Sequence, residues 1–193
     1  MLQQVSVRFI RKTEAYVTNN DILRRIRYAF DFNDSKMMAL FALADHPVSR
    51  QQISAWLKKD DDPALVECSA RELAVFLNGL IHDRRGKREG PQPEPELRLN
   101  NNIIFRKLRI ALNLKDDDIL DILKLAGFSL SKTELSAFFR KPGSRQYRGC
   151  KDQVLRNFIK GLQLKYRPDQ ASKVAPEWQN AVLKKAATQD GQR

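Results

Sequence analysis

Residues 19–44, NNDILRRIRYAFDFNDSKMMALFALA, and residues 101–126, NNIIFRKLRIALNLKDDDILDILKLA, are two versions of one pattern set 82 positions apart. The register continues without a gap: SRQQISAWLKK (49–59) lies over SKTELSAFFRK (131–141), and CSARELAVFLNGL (68–80) over CKDQVLRNFIKGL (150–162). Identities run from Asn19/Asn101 and Arg24/Arg106 to Gly79/Gly161 and Leu80/Leu162, and apolar usually faces apolar between them. A helical module of about sixty residues is therefore written twice. The fold class that follows is all-α, two tandem four-helix modules related by internal duplication. Its expected divisions are a leader over 1–18 extraneous to the module, repeat 1 over 19–82, a Pro-rich charged linker over 83–100, repeat 2 over 101–167 and a tail over 168–193.

Four helices per repeat follow from apolar positions spaced at the 3.6-residue period and from recurring start signals. The first is expected near 20–31, with Ile22, Leu23, Ile26, Ala29 and Phe30 on one side and Arg24 and Arg27 on another. The second is expected at 35–44 and again at 117–126, with Asp34 or Asp116 as N-cap, and Gly127 ends the second copy through a positive φ. The third begins at Ser49 and Ser131. Gln52 or Glu134 three residues on completes a capping box, and Val48/Ile53 or Leu130/Leu135 form a hydrophobic staple. The fourth begins at Ser69 with Glu72 completing the box and Cys68 stapling to Leu73. In repeat 2 Lys151 replaces that serine, so Asp152 is expected to cap one residue later. A single module of ~60 residues buries only about 60% of its unfolded surface, so the halves are expected to dock and share a core.

The chain of 193 residues carries a formal charge of +12, and the excess is uneven. Residues 19–80 hold 8 basic and 9 acidic residues, while the matching residues 101–162 hold 13 basic and 6 acidic. A field concentrated on one module attracts polyanions. The two cysteines, Cys68 and Cys150, occupy the same position in each repeat and form no disulfide framework. No run approaches the ~20 apolar residues of a membrane helix, and Arg8, Arg11 and Lys12 break any signal-peptide core, so a cytoplasmic protein without membrane contact is expected.

The succession of two helices, a short turn and a Ser-capped helix resembles the helix-turn-helix of repressor and Cro-like DNA-binding domains, most closely in Val48-Ser49-Arg50-x-x-Ile53-Ser54-x-Trp56. That resemblance implies that Arg50, Gln51 and Ser54, and in repeat 2 Lys132, Thr133 and Ser136, face bases or phosphates. A second candidate surface is Arg140-Lys141-Pro142-Gly143-Ser144-Arg145-Gln146-Tyr147-Arg148 with Lys151, where basic groups flanking Tyr147 would hold phosphates while the ring stacks a base. The matching loop of repeat 1, Lys59-Asp60-Asp61-Asp62-Pro63, is acidic. Any such site therefore belongs to repeat 2.

Catalytic signatures are missing. His46 and His82 lie far apart in sequence with no ligand spacing, Cys68 and Cys150 sit at staple positions, and Asp116, Asp117 and Asp118 complement a helix dipole. No catalytic residue, metal or cofactor is expected. Across Asn19 to Arg167 the duplicated pattern also resembles the YehS-type family of bacterial proteins. The motifs are Asn19-Asn20-x-x-Leu23-Arg24-Arg25-Ile26-Arg27-Tyr28-Ala29, Val48-Ser49-Arg50 with Ser54-Ala55-Trp56-Leu57, and Asn157-Phe158-Ile159-Lys160-Gly161-Leu162. The resemblance implies a small cytoplasmic helical protein and carries over no catalytic residue. The functional expectation is a non-enzymatic nucleic-acid-binding protein, a monomer whose halves imitate a symmetric dimer. The alternative is a protein-interaction or scaffold protein without nucleic-acid binding, its partner either acidic or docked on the apolar tail around Trp178.

Overall fold

In the computed structural model, residues 17–168 are described. They form eight helices and no strand: α1 (Asn19–Ala29), α2 (Asp34–Leu43), α3 (Arg50–Trp56), α4 (Ala70–Arg85), α5 (Asn101–Ala111), α6 (Asp116–Leu125), α7 (Lys132–Ala137) and α8 (Asp152–Tyr166). The Trp178 segment lies outside the described residues, as does the leader up to residue 16.

The local signals work as written at α3, α4 and α7, where Ser49/Gln52, Ser69/Glu72 and Ser131/Glu134 each close a reciprocal capping box. Three expected details differ. Asp34 and Asp116 do not cap; they are the first residues of α2 and α6 and pair with Arg27 and Arg109 at 2.9 and 2.8 Å, tying each second helix to the first. The cap of α2 is Asn33, whose side chain accepts from the Lys36 N–H, while at α6 the Asp118 carboxylate accepts from the Lys115 N–H. Asp152 likewise does not cap α8. Its carboxylate accepts from Asn101 Nδ2 at 2.6 Å and from the Val17 N–H at 3.3 Å, which binds the start of α8 to the starts of both repeats. Finally α4 runs on to Arg85, because the Asp83 carboxylate is held by Lys36 from α2 at 2.5 Å, and the extended linker begins at Gly86 with φ +80°.

The halves interlock rather than abut. Inside each repeat α2 packs on α4 and α6 on α8, but α1 packs chiefly on α8 and α5 chiefly on α4. Each first helix therefore lies against the last helix of the other repeat, a reciprocal exchange consistent with the duplication. One continuous apolar core results, with Ile22, Leu23, Phe41 and Phe76 from one repeat joined to Phe105, Leu123, Leu155 and Phe158 from the other. Gly79 and Gly161 set the closest helix crossings, since a Cβ at either would overlap the carbonyl oxygen of Leu40 or Ile122.

The Asn-Asn pair that opens each repeat is the strap of the module. Buried Asn20 donates from Nδ2 to the Trp56 and Val66 carbonyls and accepts at Oδ1 from the Cys68 N–H. Asn102 does the same with Phe138, Arg148 and Cys150. Two carbonyls and one N–H, from the end of the third helix to the residue before the cap of the fourth, thus find partners on one side chain. Asn19 and Asn101 add a bond each to the Cys68 and Cys150 carbonyls.

Candidate nucleic-acid interface

Ser49 and Ser131 launch short, exposed helices. α3 and α7 are seven and six residues long and pack chiefly on α2 and α6 respectively, so the polar side chains of their first turns stay in water. Arg50, Gln51 and Ser54 are exposed on α3. On α7 Thr133 is exposed, but Lys132 reaches sideways to Asp117 at 2.7 Å, and that hydrogen bond raises its pKa. The Ser136 hydroxyl donates to the Thr133 carbonyl. Glu134 accepts from both the N–H and the hydroxyl of Ser131, which lowers its pKa and commits the carboxylate to the cap.

The fold joins the two surfaces proposed for repeat 2. Thr133 and Ser136 from α7 and Arg140, Arg145 and Arg148 from the following loop line a single depression of about 410 Å³, together with Gln146. The loop is shaped by Gly143 at φ +84° and by the Arg148 N–H donating to the Ala137 carbonyl, which folds residues 140–148 back against the end of α7. Among the described residues Arg140, Arg145 and Arg148 have no acidic partner, and Arg148 spends its Nη1 on the Arg145 and Tyr147 carbonyls. Three guanidiniums therefore stand around one concave surface with a carboxylate already occupied by the helix cap. Gln146, part of the basic stretch but given no role there, is brought to this surface by the fold of the loop.

Tyr147 does not join them. It lines a different cleft of about 910 Å³, where the starts of α1 and α5 meet and where Asn19, Asn101 and Asp152 are its neighbours along the wall. Alternate loop residues point to opposite sides, so the ring is separated from the arginines that flank it in sequence. Lys141 is exposed outside the depression, and Lys151 is the exposed N-cap residue of α8. In repeat 1 the matching loop closes on itself: Lys58 pairs with Asp62 at 3.1 Å and Arg24 with Asp60 at 2.7 Å. Asp60 and Asp62 are thereby paired, whereas among the described residues Arg140, Arg145 and Arg148 of repeat 2 have no acidic partner.

The thiols and the acidic triplet are held by the fold. Both thiols are buried, and burial with nearby carboxylates pushes Cys68 and Cys150 up to about 12, far from a nucleophilic thiolate. Asp116, Asp117 and Asp118 hold Arg109, Lys132 and the Lys115 N–H in turn. Among the described residues no group of three or more His, Cys, Asp or Glu side chains is placed to hold a metal, and no helix is long and apolar enough to cross a membrane.

The duplication has a counterpart among known proteins. The pattern of a family described as protein of unknown function (DUF1456) matches twice, over residues 19–86 and 101–167. The chain is 45% identical over 145 residues to the uncharacterized protein YehS of Escherichia coli strain K12, an alignment that covers 75% of this chain and 93% of that relative. No solved structure matches.

Proposed function

We propose, from the premise that this chain belongs to the DUF1456 family and carries its module twice, that it is a non-enzymatic nucleic-acid-binding protein of the cytoplasm whose phosphate contacts come mainly from repeat 2. The family description assigns no activity, so the reading is supported by the site alone. The single observation that carries it is the depression where Arg140, Arg145 and Arg148 meet the exposed polar face of α7. Arginine presents a planar fork of donors that suits phosphate oxygens, and three of them around a concave surface whose one carboxylate, Glu134, is engaged by the helix cap favour a polyanion over water. Thr133 and Gln146 supply neutral donors beside them. With Tyr147 turned away, sequence-independent phosphate contacts rather than base stacking dominate this reading.

The test is fluorescence anisotropy with labelled single- and double-stranded oligonucleotides over a range of salt. Binding should weaken as salt rises, with a log–log slope that loses roughly 0.7–0.9 for each phosphate contact removed. Arg145→Glu with Arg148→Glu should weaken binding at least about tenfold and flatten that slope. Unchanged affinity in the double variant refutes the site. A wild-type chain that ignores both oligonucleotides and elutes early from heparin favours the scaffold reading.

A further inference from the structure

The chain's two histidines are far apart in sequence, yet His46 and His82 line the same cleft. The cleft has a volume of about 700 Å³ and lies between α4, α5, the turn after α2 and the linker. That volume is typical of small-molecule sites. Arg71 and Arg85 reach it from α4, Arg106 from α5 and Arg88 from the linker. None of these four guanidiniums has an acidic partner among the described residues, although Arg106 donates to the Phe139 carbonyl. The acids nearby are mostly engaged, Asp45 by Lys87 at 2.6 Å and Glu96 by Lys107 at 2.9 Å, which leaves Glu94. Apolar side chains line the cleft beside the cations, Val75 one turn from Arg71 on α4 and Ile103 and Ile110 flanking Arg106 along one face of α5, and Ile110 is 45% exposed.

The duplication supplies an internal control. Shifted by 82 positions, the same framework on α1 and α8 has Arg24 for Arg106, Arg167 for Arg85, Gln153 for Arg71, and Phe128 and Leu164 for the two histidines. There Arg24 is tied to Asp60 and Arg167 to Asp31 at 3.1 Å. The scaffold thus does not require unpaired guanidiniums or imidazoles at these positions. Only the face roofed by the linker has them, and like charges gathered in a concave site repel one another until an anion joins.

We propose that this cleft binds a small phosphorylated molecule with an apolar or planar body, of the mononucleotide class. Its phosphates lie among Arg71, Arg85, Arg88 and Arg106, and its body lies on Ile103 and Ile110. The His82 ring is steadied by Nδ1–H donating to the Leu43 carbonyl oxygen at 2.9 Å, which leaves Nε2 as an acceptor for a ligand hydroxyl or N–H. This site is separate from the depression of repeat 2 and stands whether or not that depression holds nucleic acid.

The experiment is a thermal-shift titration of the full chain with ATP, AMP and inorganic pyrophosphate, with sodium sulfate at matched ionic strength as control. ATP should raise Tm saturably, more than pyrophosphate does and far more than sulfate does. Arg71→Gln with Arg88→Gln, whose side chains hold no hydrogen-bond or ion-pair partner among the described residues, should raise the apparent Kd at least about tenfold. Arg145→Glu with Arg148→Glu should leave that Kd unchanged, which separates this cleft from the other site. No saturable response to ATP at millimolar concentration overturns the proposal, as does an equal response in the Arg71/Arg88 variant or its loss in the Arg145/Arg148 variant. Pyrophosphate binding as tightly as ATP overturns the part assigned to Ile103 and Ile110.

Discussion

Replacing Gly79 by alanine opposes a gain in helix propensity to a steric conflict, and the structure decides the sign. In a helix interior the substitution by itself stabilises by roughly 1 kcal/mol. At Gly79, however, the new Cβ would lie about an ångström inside the closest approach that real Cβ atoms show, and its neighbour is the Leu40 carbonyl, which is backbone and cannot rotate aside. α4 must then withdraw from α2, loosening Leu40, Phe41, Phe76 and Leu80, all fully buried. A radial gap of 0.5–1 Å forfeits a quarter to a half of a dispersion contact, and overpacking costs typically 1–3 kcal/mol, with a backbone obstacle at the upper end or above. The net expectation is a loss of about 2–3 kcal/mol, or a Tm lower by roughly 4–12 °C for a chain of this size. Calorimetry on the full chain reads it directly. Gly161→Ala should behave alike, because its Cβ would overlap the Ile122 carbonyl oxygen, whereas Gly149→Ala, with open space around its Cβ, should change stability by no more than roughly 0.5 kcal/mol. A Gly79→Ala chain as stable as its parent, or more so, would mean that these helices do not touch through their backbones.

Two further outcomes follow from the straps and caps. Asn20→Ala and Asn102→Ala each strand two carbonyls and one N–H, so each should cost about 3–5 kcal/mol in chemical denaturation, against about 1 for Asn19→Ala; a loss near 1 at Asn20 would show that water or other groups replace the strap. Glu134 has a pKa lowered in the folded state by the Ser131 N–H and hydroxyl, so its stabilisation is present above the unfolded carboxylate value near 4.3 and is lost as pH falls through the lowered folded value. Glu134→Ala should therefore be less stable than the parent at neutral pH and approach it in acid, while Gln52→Ala, which removes the uncharged box of α3, should show a deficit that pH does not change. A pH-independent deficit at Glu134 would contradict the ionised cap.

What could be read from the chain beforehand was local or repeated. The duplication fixed eight helices, and the boxes at Ser49, Ser69 and Ser131 act over three residues, within reach of a sequence pattern. Errors came where a distant partner decides. Asp34 looks like a cap until Arg27 claims it, Asp152 is drawn to Asn101 and Val17, and Asp83 to Arg85 look like linker until Lys36 anchors the first of them. The basic depression was half visible, since Arg140, Arg145 and Arg148 are neighbours in sequence, but its union with Thr133 and the departure of Tyr147 depend on how the loop folds back onto α7. The meeting of His46 with His82 depends on the linker and on α5 crossing α4, which no spacing announces.

The two copies separate structure from function more sharply than either would alone. Polar residues that both repeats retain are occupied in holding the module together: Asn19 and Asn101, Asn20 and Asn102, Arg27 and Arg109, Asp34 and Asp116, Ser49 and Ser131 each repeat the same bond to the same structural position. Among the described residues, several guanidiniums without an acidic partner stand instead where the copies differ, Arg145 and Arg148 against Pro63 and Val66 and Arg71 against Gln153, and the two imidazoles, His46 and His82, stand against Phe128 and Leu164. A scaffold shared by both halves cannot require what one half lacks. Arg71, Arg145 and Arg148 are therefore cations that the shared scaffold does not require, and each of them lines one of the two candidate sites.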